Sequence, residues 1–414
     1  MTRISTLQSF DSGLERLQQR NNDLAEAQDR LTSGKRVSKA SDDPSAAARA
    51  ERALAQIARH DASQRAIQAA RNTLTLTESA LADTSELMQQ AREALVAAGN
   101  GTYSDAERVT VAQRLAALRS QLLAAANRGD GAGGYLFAGQ GASQPPFVDG
   151  TGGVAFRGSA GELQAAIDEP VPQSTDGRAA WLGAASGNGL FETRVLSAQP
   201  DAAGAWIDAG RVTDPQTFFA ATSPPAVTDP ASLEYRVEFS AGAGGTTFTV
   251  TKDGAATALT AVPYVAGQAI EIDGMAFTVQ GAPAAGEAFG VRLAQPTQSV
   301  FATLDRAISE LRTPQRSHAA IAQGVQQALV GIDSSMGALQ SLRARVGETL
   351  NRIDMVEGRI GAQKLAAQDE KSKAEDLDMV AAISSFQNQQ TGYEAALKAY
   401  STVQRLSLFQ YINL

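Results

Sequence analysis

Residues 376–414, DLDMVAAISSFQNQQTGYEAALKAYSTVQRLSLFQYINL, decide how the fold is interpreted. Their large apolar side chains recur at spacings of three, four or seven, which places them on one stripe of a helix. The stripe consists of Met379, Ile383, Phe386, Tyr393, Leu397 and Tyr400. An isolated helix is marginally stable in water, so a helix with one apolar stripe needs a surface that covers it. This segment therefore predicts a helix with a partner.

A matching stripe runs through the first thirty residues. Its members are Leu7, Leu14, Asn21 and Gln28, which are seven apart, and Phe10, Leu17, Leu24 and Leu31, which follow each of these by three. This spacing is the a/d pattern of a coiled-coil seam. The two terminal helices are therefore predicted to pack on each other or on neighbouring subunits, although two helices of an ordinary bundle would show the same periodicity.

The middle of the chain has a different composition from its flanks. Residues 141–300 hold 7 Lys and Arg against 16 Asp and Glu, and of the 14 prolines only Pro44 and Pro314 lie outside this range. A proline inside a helix costs about 3 kcal/mol, so the flanks are free to be helical. The net charge of -8 argues against nucleic acid as a partner, because phosphate neutralisation needs clustered basic side chains.

Both flanks carry long heptad patterns. A helix is predicted to begin at Pro44, with Asp43 as its cap, and to run to about Ala98. Asp42 and Asp43 are the residues of a metal-ligand alternative, but no third carboxylate follows at ligand spacing. The positions seven apart are Ile67, Leu74, Leu81, Met88 and Leu95 in the first flank, and Val325, Ile332, Leu339, Val346, Ile353 and Ile360 in the second.

The middle of the chain shows strand patterns. Residues 233–239 alternate apolar and polar side chains, and residues 247–250 do so more briefly. Asp273-Gly274 lies between two apolar runs, which predicts a tight hairpin turn. The predicted fold is mainly α with a β-rich insert, in which the N- and C-terminal helices form coiled-coil and helical-bundle layers. The predicted domains are a terminal coiled coil (1–42 and 371–414), a helical bundle (43–140 and 297–370) and the insert (141–296).

No pattern indicates catalysis. The chain has no cysteine, and its two histidines, His60 and His318, lie apart from any nucleophile motif. We therefore predict no catalytic, cofactor or metal site and no enzyme activity. No apolar run approaches the roughly 20 residues that span a bilayer, and MTRISTLQSF lacks the apolar region of a cleaved secretory signal.

Four stretches resemble one family of proteins. They are RIST near the start, RLTSGKRVSKASDDPSAAARA at 30–50, GGYLFAG at 133–139 and LDMVAAISSFQNQQTGYEAALKAYSTVQRLSLFQYI at 377–412. Together they resemble the bacterial flagellin superfamily over about residues 1–140 and 300–414. Pro44 after the aspartate pair, and the YLFAG stretch followed by Pro145-Pro146-Phe147, are more similar to the branch that joins hook to filament than to filament flagellins.

The resemblance implies a function and partners. It implies an adaptor that joins the flagellar hook, through hook-associated protein 1, to the flagellin filament. It also implies export of the unfolded chain by the flagellar type III apparatus, with a cytoplasmic chaperone, and assembly as an extracellular ring of about eleven copies. In that family the terminal seams line the inner tube and the insert projects outward. Two other readings are a filament-forming flagellin and, more distantly, an enzyme or carbohydrate-binding module housed in the insert.

The resemblance also implies which residues meet in the assembly. The predicted interface pairs Leu7, Phe10, Leu14, Leu17, Leu24 and Leu31 with Ile383, Phe386, Tyr393, Leu397 and Tyr400 or with their neighbours in adjacent subunits. Because such helices depend on packing, we further expect residues 1–33 and 376–414 to order only on assembly. Protection of their amides from exchange in the isolated monomer would contradict this expectation.

Overall fold

The structure is a computed structural model that describes residues 6–412 except 142, 198–203, 225–228 and 243; the side chains of 6–10 and 403–412 are also left out of the description. Its helices are α1 (Thr6–Ser33), α2 (Pro44–Ala98), α3 (Asp105–Ala126), α4 (Arg178–Leu182), α5 (Pro215–Thr222), α6 (Val300–Arg312), α7 (His318–Glu375) and α8 (Met379–Ile412). No described helix is both long enough and apolar enough to cross a membrane.

In chain order, all twelve strands of the described residues come after α3 and before α6. They are β1 (Phe147–Gly150), β2 (Gly153–Phe156), β3 (Phe191–Val195), β4 (Ala205–Ile207), β5 (Arg211–Val212), β6 (Glu234–Gly242), β7 (Gly245–Lys252), β8 (Ala255–Ala256), β9 (Val262–Pro263), β10 (Ala269–Ile272), β11 (Met275–Gly281) and β12 (Ala288–Leu293). The prediction of a mainly α chain with a β-rich middle is confirmed.

The contacts divide the chain into two compact units, Met1–Arg65 with Met355–Leu414, and Ala66–Asp354. Helices α2 and α7 each contribute residues to both units. The three-domain division drawn from the sequence stays a prediction. The first unit holds the terminal helices α1 and α8, and the second holds every strand.

Helices α2 and α7 are antiparallel partners within the second unit. Ion pairs join Arg92 to Asp333 at 2.8 Å and Arg343 to Glu78 at 2.6 Å, so residue numbers rise along one helix as they fall along the other. The predicted heptad positions Ile67, Leu74, Leu81, Met88 and Leu95 are at most 1% exposed, and Val325, Ile332, Leu339, Val346, Ile353 and Ile360 at most 8%. The predicted α2 bounds, Pro44 and Ala98, are confirmed.

The glycines of α7 fall into two kinds. A Cβ added at Gly331 would lie 2.8 Å from the Nε2 of Gln298 and 2.8 Å from the Cγ2 of Thr303, closer than packed atoms approach. A Cβ added at Gly347 would meet nothing within 4 Å. Close packing therefore requires glycine at position 331, whereas glycine at position 347 only weakens the helix.

This difference predicts opposite effects of the same substitution. Gly331→Ala is expected to lower the free energy of unfolding by about 1–3 kcal/mol, because it overpacks the contact with α6. Gly347→Ala is expected to raise it by about 0.5–1 kcal/mol, because alanine favours the helix and the site has room. Urea unfolding followed by circular dichroism measures both variants. Equal changes in the two would contradict the assignment.

Three antiparallel sheets form the β-rich middle. One six-stranded sheet has the order β3-β12-β6-β7-β8, with β9 also paired to β7. A second sheet has the order β10-β11-β4, with β5 also paired to β11, and β1 and β2 form a third. The apolar core between the first two sheets includes Tyr235, Phe239, Phe277, Phe289 and Val291, each at most 1% exposed.

The predicted hairpin turn at Asp273-Gly274 is confirmed. Ile272 of β10 pairs with Met275 of β11, and both turn residues have positive φ, 48° and 76°. The Asp273 carboxylate accepts hydrogen bonds from the Tyr235 hydroxyl at 2.6 Å and the Lys252 ammonium at 2.8 Å. Burial by itself raises the pKa of Asp273, but these two hydrogen bonds outweigh it and hold that pKa below its ordinary value.

We expect Asp273→Asn to lower the free energy of unfolding by about 1–2 kcal/mol at pH 7, because it removes a hydrogen-bonded charge while keeping a residue type that tolerates positive φ. The ionised carboxylate stabilises the fold above its unfolded pKa, and this contribution is lost as pH falls through the lowered folded pKa. The deficit of the variant should therefore shrink below about pH 4. Tryptophan fluorescence during urea unfolding measures it, since Trp206 of β4 pairs with β11.

Glu271→Gln is the matched control for this prediction. Glu271 lies exposed on β10, two residues from the turn, so its neutralisation removes the same charge without touching the network. An equal deficit in Glu271→Gln and Asp273→Asn would mean that net charge, and not the hydrogen bonds of Asp273, sets the stability of the hairpin.

An aromatic cluster lies where α3, α4 and α6 meet the β1-β2 ribbon. Trp181 is fully buried, stacks on Phe301 at a centroid distance of 5.9 Å, and meets Phe137 edge-on at 5.8 Å. The guanidinium of Arg119 lies 5.9 Å from the centre of the Phe301 ring. The same guanidinium forms an ion pair with Asp149 at 2.6 Å. Its hydrogen bonds to the Asp149 carboxylate raise the pKa of Arg119. We call these aromatic residues, with Phe147, the Trp181 cluster.

Candidate assembly interface

Helices α1 and α8 form an antiparallel pair, which we call the terminal pair. A Cβ added at Gly13 of α1 would lie 3.4 Å from the ring of Tyr400, and one added at Gly392 of α8 would lie 2.7 Å from a guanidinium nitrogen of Arg20. Lys35, just after α1, forms an antiparallel bridge with Asp376, just before α8. The predicted contact between the two terminal segments is therefore present within one chain.

The terminal pair leaves much of its apolar stripe uncovered. Leu14, Ile383 and Leu397 are 47%, 46% and 43% exposed. The other predicted residues whose side chains are described, Leu17, Leu24, Leu31, Phe386, Tyr393 and Tyr400, are half-buried. The side chains of Leu7 and Phe10 lie outside the described residues. None of the nine described residues is fully buried, in contrast to the heptad positions of α2.

Two further apolar residues of α8 lie on this surface. Met379 is 44% exposed and Val380 is 82% exposed. Met379 belongs to the stripe read from the sequence, but it was not among the predicted interface residues. Val380 lies three residues before Ile383 but directly follows Met379, one position past the heptad positions, so the stripe read from the sequence did not include it. Its exposure shows that the uncovered apolar surface is broader than one a/d seam.

A short bridge fixes where the terminal pair begins. Gly34 ends α1 with a positive φ of 68°, and its amide donates to the Arg30 carbonyl at 2.9 Å. Its own carbonyl accepts from the Leu377 amide at 3.0 Å, and the Arg36 amide donates to the Glu375 carbonyl at 2.8 Å. The Lys35 ammonium pairs with the Glu375 carboxylate, which raises the pKa of Lys35. The chain leaving α1 is thereby held against the end of α7.

The aspartate pair after this bridge has a structural role. The Asp42 carboxylate accepts from the amides of Ser38 and Lys39 at 3.1 and 2.9 Å, which closes the turn. Asp43 accepts from the amide of Ala46 at 3.0 Å, and this bond together with that from Ser45 lowers the pKa of Asp43 to about 2. The prediction that Asp43 caps α2 is confirmed. Across the described residues, no group of three or more His, Cys, Asp or Glu could hold a metal ion.

Protein families match both flanks of the chain. The model of the bacterial flagellin N-terminal helical region matches residues 4–142, and that of the bacterial flagellin C-terminal helical region matches residues 320–412. The chain belongs to the flagellin superfamily. The two matched ranges contain the terminal pair, and the strands β1 to β12 fall outside both.

Relatives of this superfamily member match it along most of its length. Flagellar hook-associated protein 3 of Escherichia coli (strain K12) is 25% identical over 412 residues, which are 99% of each chain. The flagellar hook associated protein-3 structure from Legionella pneumophila is 27% identical with a TM-score of 0.70, covering 78% of this chain and 98% of that one. The structure of the flagellar junction protein FlgL from Legionella pneumophila is 28% identical with a TM-score of 0.62, and the match covers 70% of this chain and 94% of that one.

These similarities confirm the flagellin-like fold predicted from the sequence and place the chain among the structural proteins of the bacterial flagellum. The residues assigned to the assembly interface are not tested by them. Those residues, and the ordering of the terminal segments on assembly, stay predictions.

Proposed function

We propose that this chain is the adaptor that joins the flagellar hook, through hook-associated protein 1, to the flagellin filament. The similarity to flagellar hook-associated protein 3 over 99% of each chain carries the proposal, because it includes the middle region that the flagellin models leave unmatched. A filament-forming flagellin remains the alternative, since both flagellin helical regions are present.

The terminal pair supports the assembly step of this proposal. Burying a Leu or Phe side chain contributes roughly 1.5–3 kcal/mol, and several such side chains are left half-buried or exposed in a single chain. A neighbouring copy of this chain, with the same exposed apolar stripe, could bury these side chains by packing against them. In the proposed ring of about eleven copies, residues 1–42 and 371–414 line the inner tube, residues 43–140 and 297–370 form the next layer, and residues 141–296 face outward.

The proposed route to the outside is export of the unfolded chain by the flagellar type III apparatus, with a cytoplasmic chaperone. The absence of cysteine supports it, because no disulfide has to be opened before the chain is threaded or formed after it emerges. On this proposal the protein works outside the cell, at the hook-filament junction.

The proposal is tested by deleting the gene in the source bacterium. We expect electron microscopy to show hooks without filaments, and flagellin to accumulate in the medium as monomer, because filament growth lacks its base. Expression of the intact gene from a plasmid should restore filaments. If the deletion instead removes the main secreted flagellin band, the chain is a filament subunit and the adaptor proposal is wrong.

A further inference from the structure

A cavity of about 350 Å³ lies in the second unit, between the six-stranded sheet and helices α6 and α7. Strands β3 and β12 line one side of it with Arg194 and Arg292. Helix α6 lines the other side with Arg306, and Arg316 and Gln323 follow from the α6-α7 turn and from α7. The volume lies at the lower end of the range of small-molecule pockets.

One buried polar group in this cavity lacks a partner. Gln323 is 5% exposed, and its Oε1 accepts a hydrogen bond from the Ile207 amide at 2.8 Å. Its Nε2 has no hydrogen-bond partner among the described residues. Leaving a buried amide donor unpaired is costly, so an acceptor oxygen bound in the cavity would stabilise this side chain.

The guanidinium groups around the cavity outnumber their carboxylate partners. Three pairs are formed: Arg194 with Glu234 at 2.5 Å, Arg292 with Glu192, and Arg316 with Glu310 at 3.3 Å. Arg306 is exposed and has no carboxylate within ion-pair distance in the part of the chain that the structure describes. One positive charge is therefore uncompensated, although residues 141–300 are acidic as a whole.

Two glycines of α7 leave space for polar side chains beside the cavity. A Cβ at Gly324 would overlap the Glu310 carboxylate, and one at Gly331 would lie 2.8 Å from the Nε2 of Gln298. Both glycines line the cavity. Of the α7 glycines, these two lie where polar side chains approach the helix backbone, so a larger residue at either position would collide with them.

We propose that this cavity binds a small organic oxyanion, a carboxylate or a phosphate ester, with its charged oxygens between Arg306 and the Gln323 amide. Guanidinium groups pair with both anions through parallel hydrogen bonds, and such charge-assisted bonds are stronger than neutral ones. An uncharged molecule of the same size would leave the charge of Arg306 unpaired. The proposal is independent of the adaptor role, because no residue of the terminal pair takes part.

Isothermal titration calorimetry on the purified full-length chain tests this, with glucuronate, glucose 6-phosphate and glucose as probes of similar size. We expect saturable binding of at least one of the two anions and none of glucose. Binding of glucuronate alone assigns a carboxylate ligand, and binding of glucose 6-phosphate alone assigns a phosphate. Absence of saturable binding of both anions up to about 10 mM overturns the proposal.

Three variants locate the binding. Arg306→Gln is expected to weaken it about ten- to a hundredfold, whereas Arg312→Gln, an exposed position of the same helix outside the cavity, should leave it unchanged. Gln323→Glu keeps the oxygen that accepts from Ile207 and replaces the free donor with a negative charge, so it should abolish binding. Because Arg306 is exposed, its variant is expected to fold normally. Unchanged affinity in both Arg306→Gln and Gln323→Glu would place the ligand elsewhere and overturn the proposal.

Discussion

Replacement of Trp181 by alanine is expected to lower the free energy of unfolding by about 3–5 kcal/mol, the range for removing a large buried aromatic side chain. Trp181 is fully buried, and its ring contacts those of Phe137, Phe147 and Phe301 at centroid distances of 5.8, 6.0 and 5.9 Å. Aromatic pairs at these distances stabilise the fold beyond the contribution of the apolar area that they bury. Removal of the indole would also leave a cavity lined by these three rings. The loss should be measurable by urea unfolding followed by circular dichroism.

Trp181→Phe separates ring packing from hydrogen bonding. The indole Nε1 has no acceptor among the described residues, so a phenyl ring at this position breaks no hydrogen bond. We expect Trp181→Phe to cost about 1–2 kcal/mol, well below the alanine variant, since it keeps an aromatic contact and loses only volume. A change below about 1 kcal/mol for Trp181→Ala would mean that the Trp181 cluster does not hold this part of the unit together.

The long helices were predictable because their signals are local and repeated. Pro44 and Asp43 mark the start of α2 through a cap that involves only adjacent residues. The heptad positions recur often enough to identify the buried face without knowing the partner. The Asp273-Gly274 turn was predictable for the same reason, since its two residues alone satisfy the positive φ that a tight hairpin requires.

The sheet order was not predictable, because strand partners are set by contacts between distant parts of the chain. Strand β12 pairs with β3, so Val291 lies opposite Thr193, and no local pattern encodes this pairing. The cavity has the same origin, since Arg194, Arg306 and Gln323 meet only when β3, α6 and α7 pack together. At the interface, periodicity located the stripe but did not single out the exposed Val380, which lies one position past the heptad position of Met379.

Replacement of Leu17 by aspartate is expected to block assembly while leaving the unit Ala66–Asp354 folded. Full burial of a Leu side chain stabilises a protein by roughly 1.5–3 kcal/mol. Leu17 is half-buried in the terminal pair, so its replacement costs the single chain only part of that free energy. In the assembled seam the carboxylate would also be removed from water without a partner, and this cost would recur in every copy of the ring. Cells that carry only Leu17→Asp should make hooks without filaments, as counted by electron microscopy.

Two further variants decide whether assembly is the step that fails. Leu14 is already 47% exposed in the single chain, so Leu14→Asp should disturb the monomer less than Leu17→Asp and yet block filaments as completely, if neighbouring copies cover the stripe. Gln19→Asp adds the same charge at an exposed position of α1 and should leave filaments intact. Normal filaments from both leucine variants would refute the seam assignment. Loss of filaments in Gln19→Asp would mean instead that any added negative charge on α1 is harmful, so that the stripe is not what the assembly recognises.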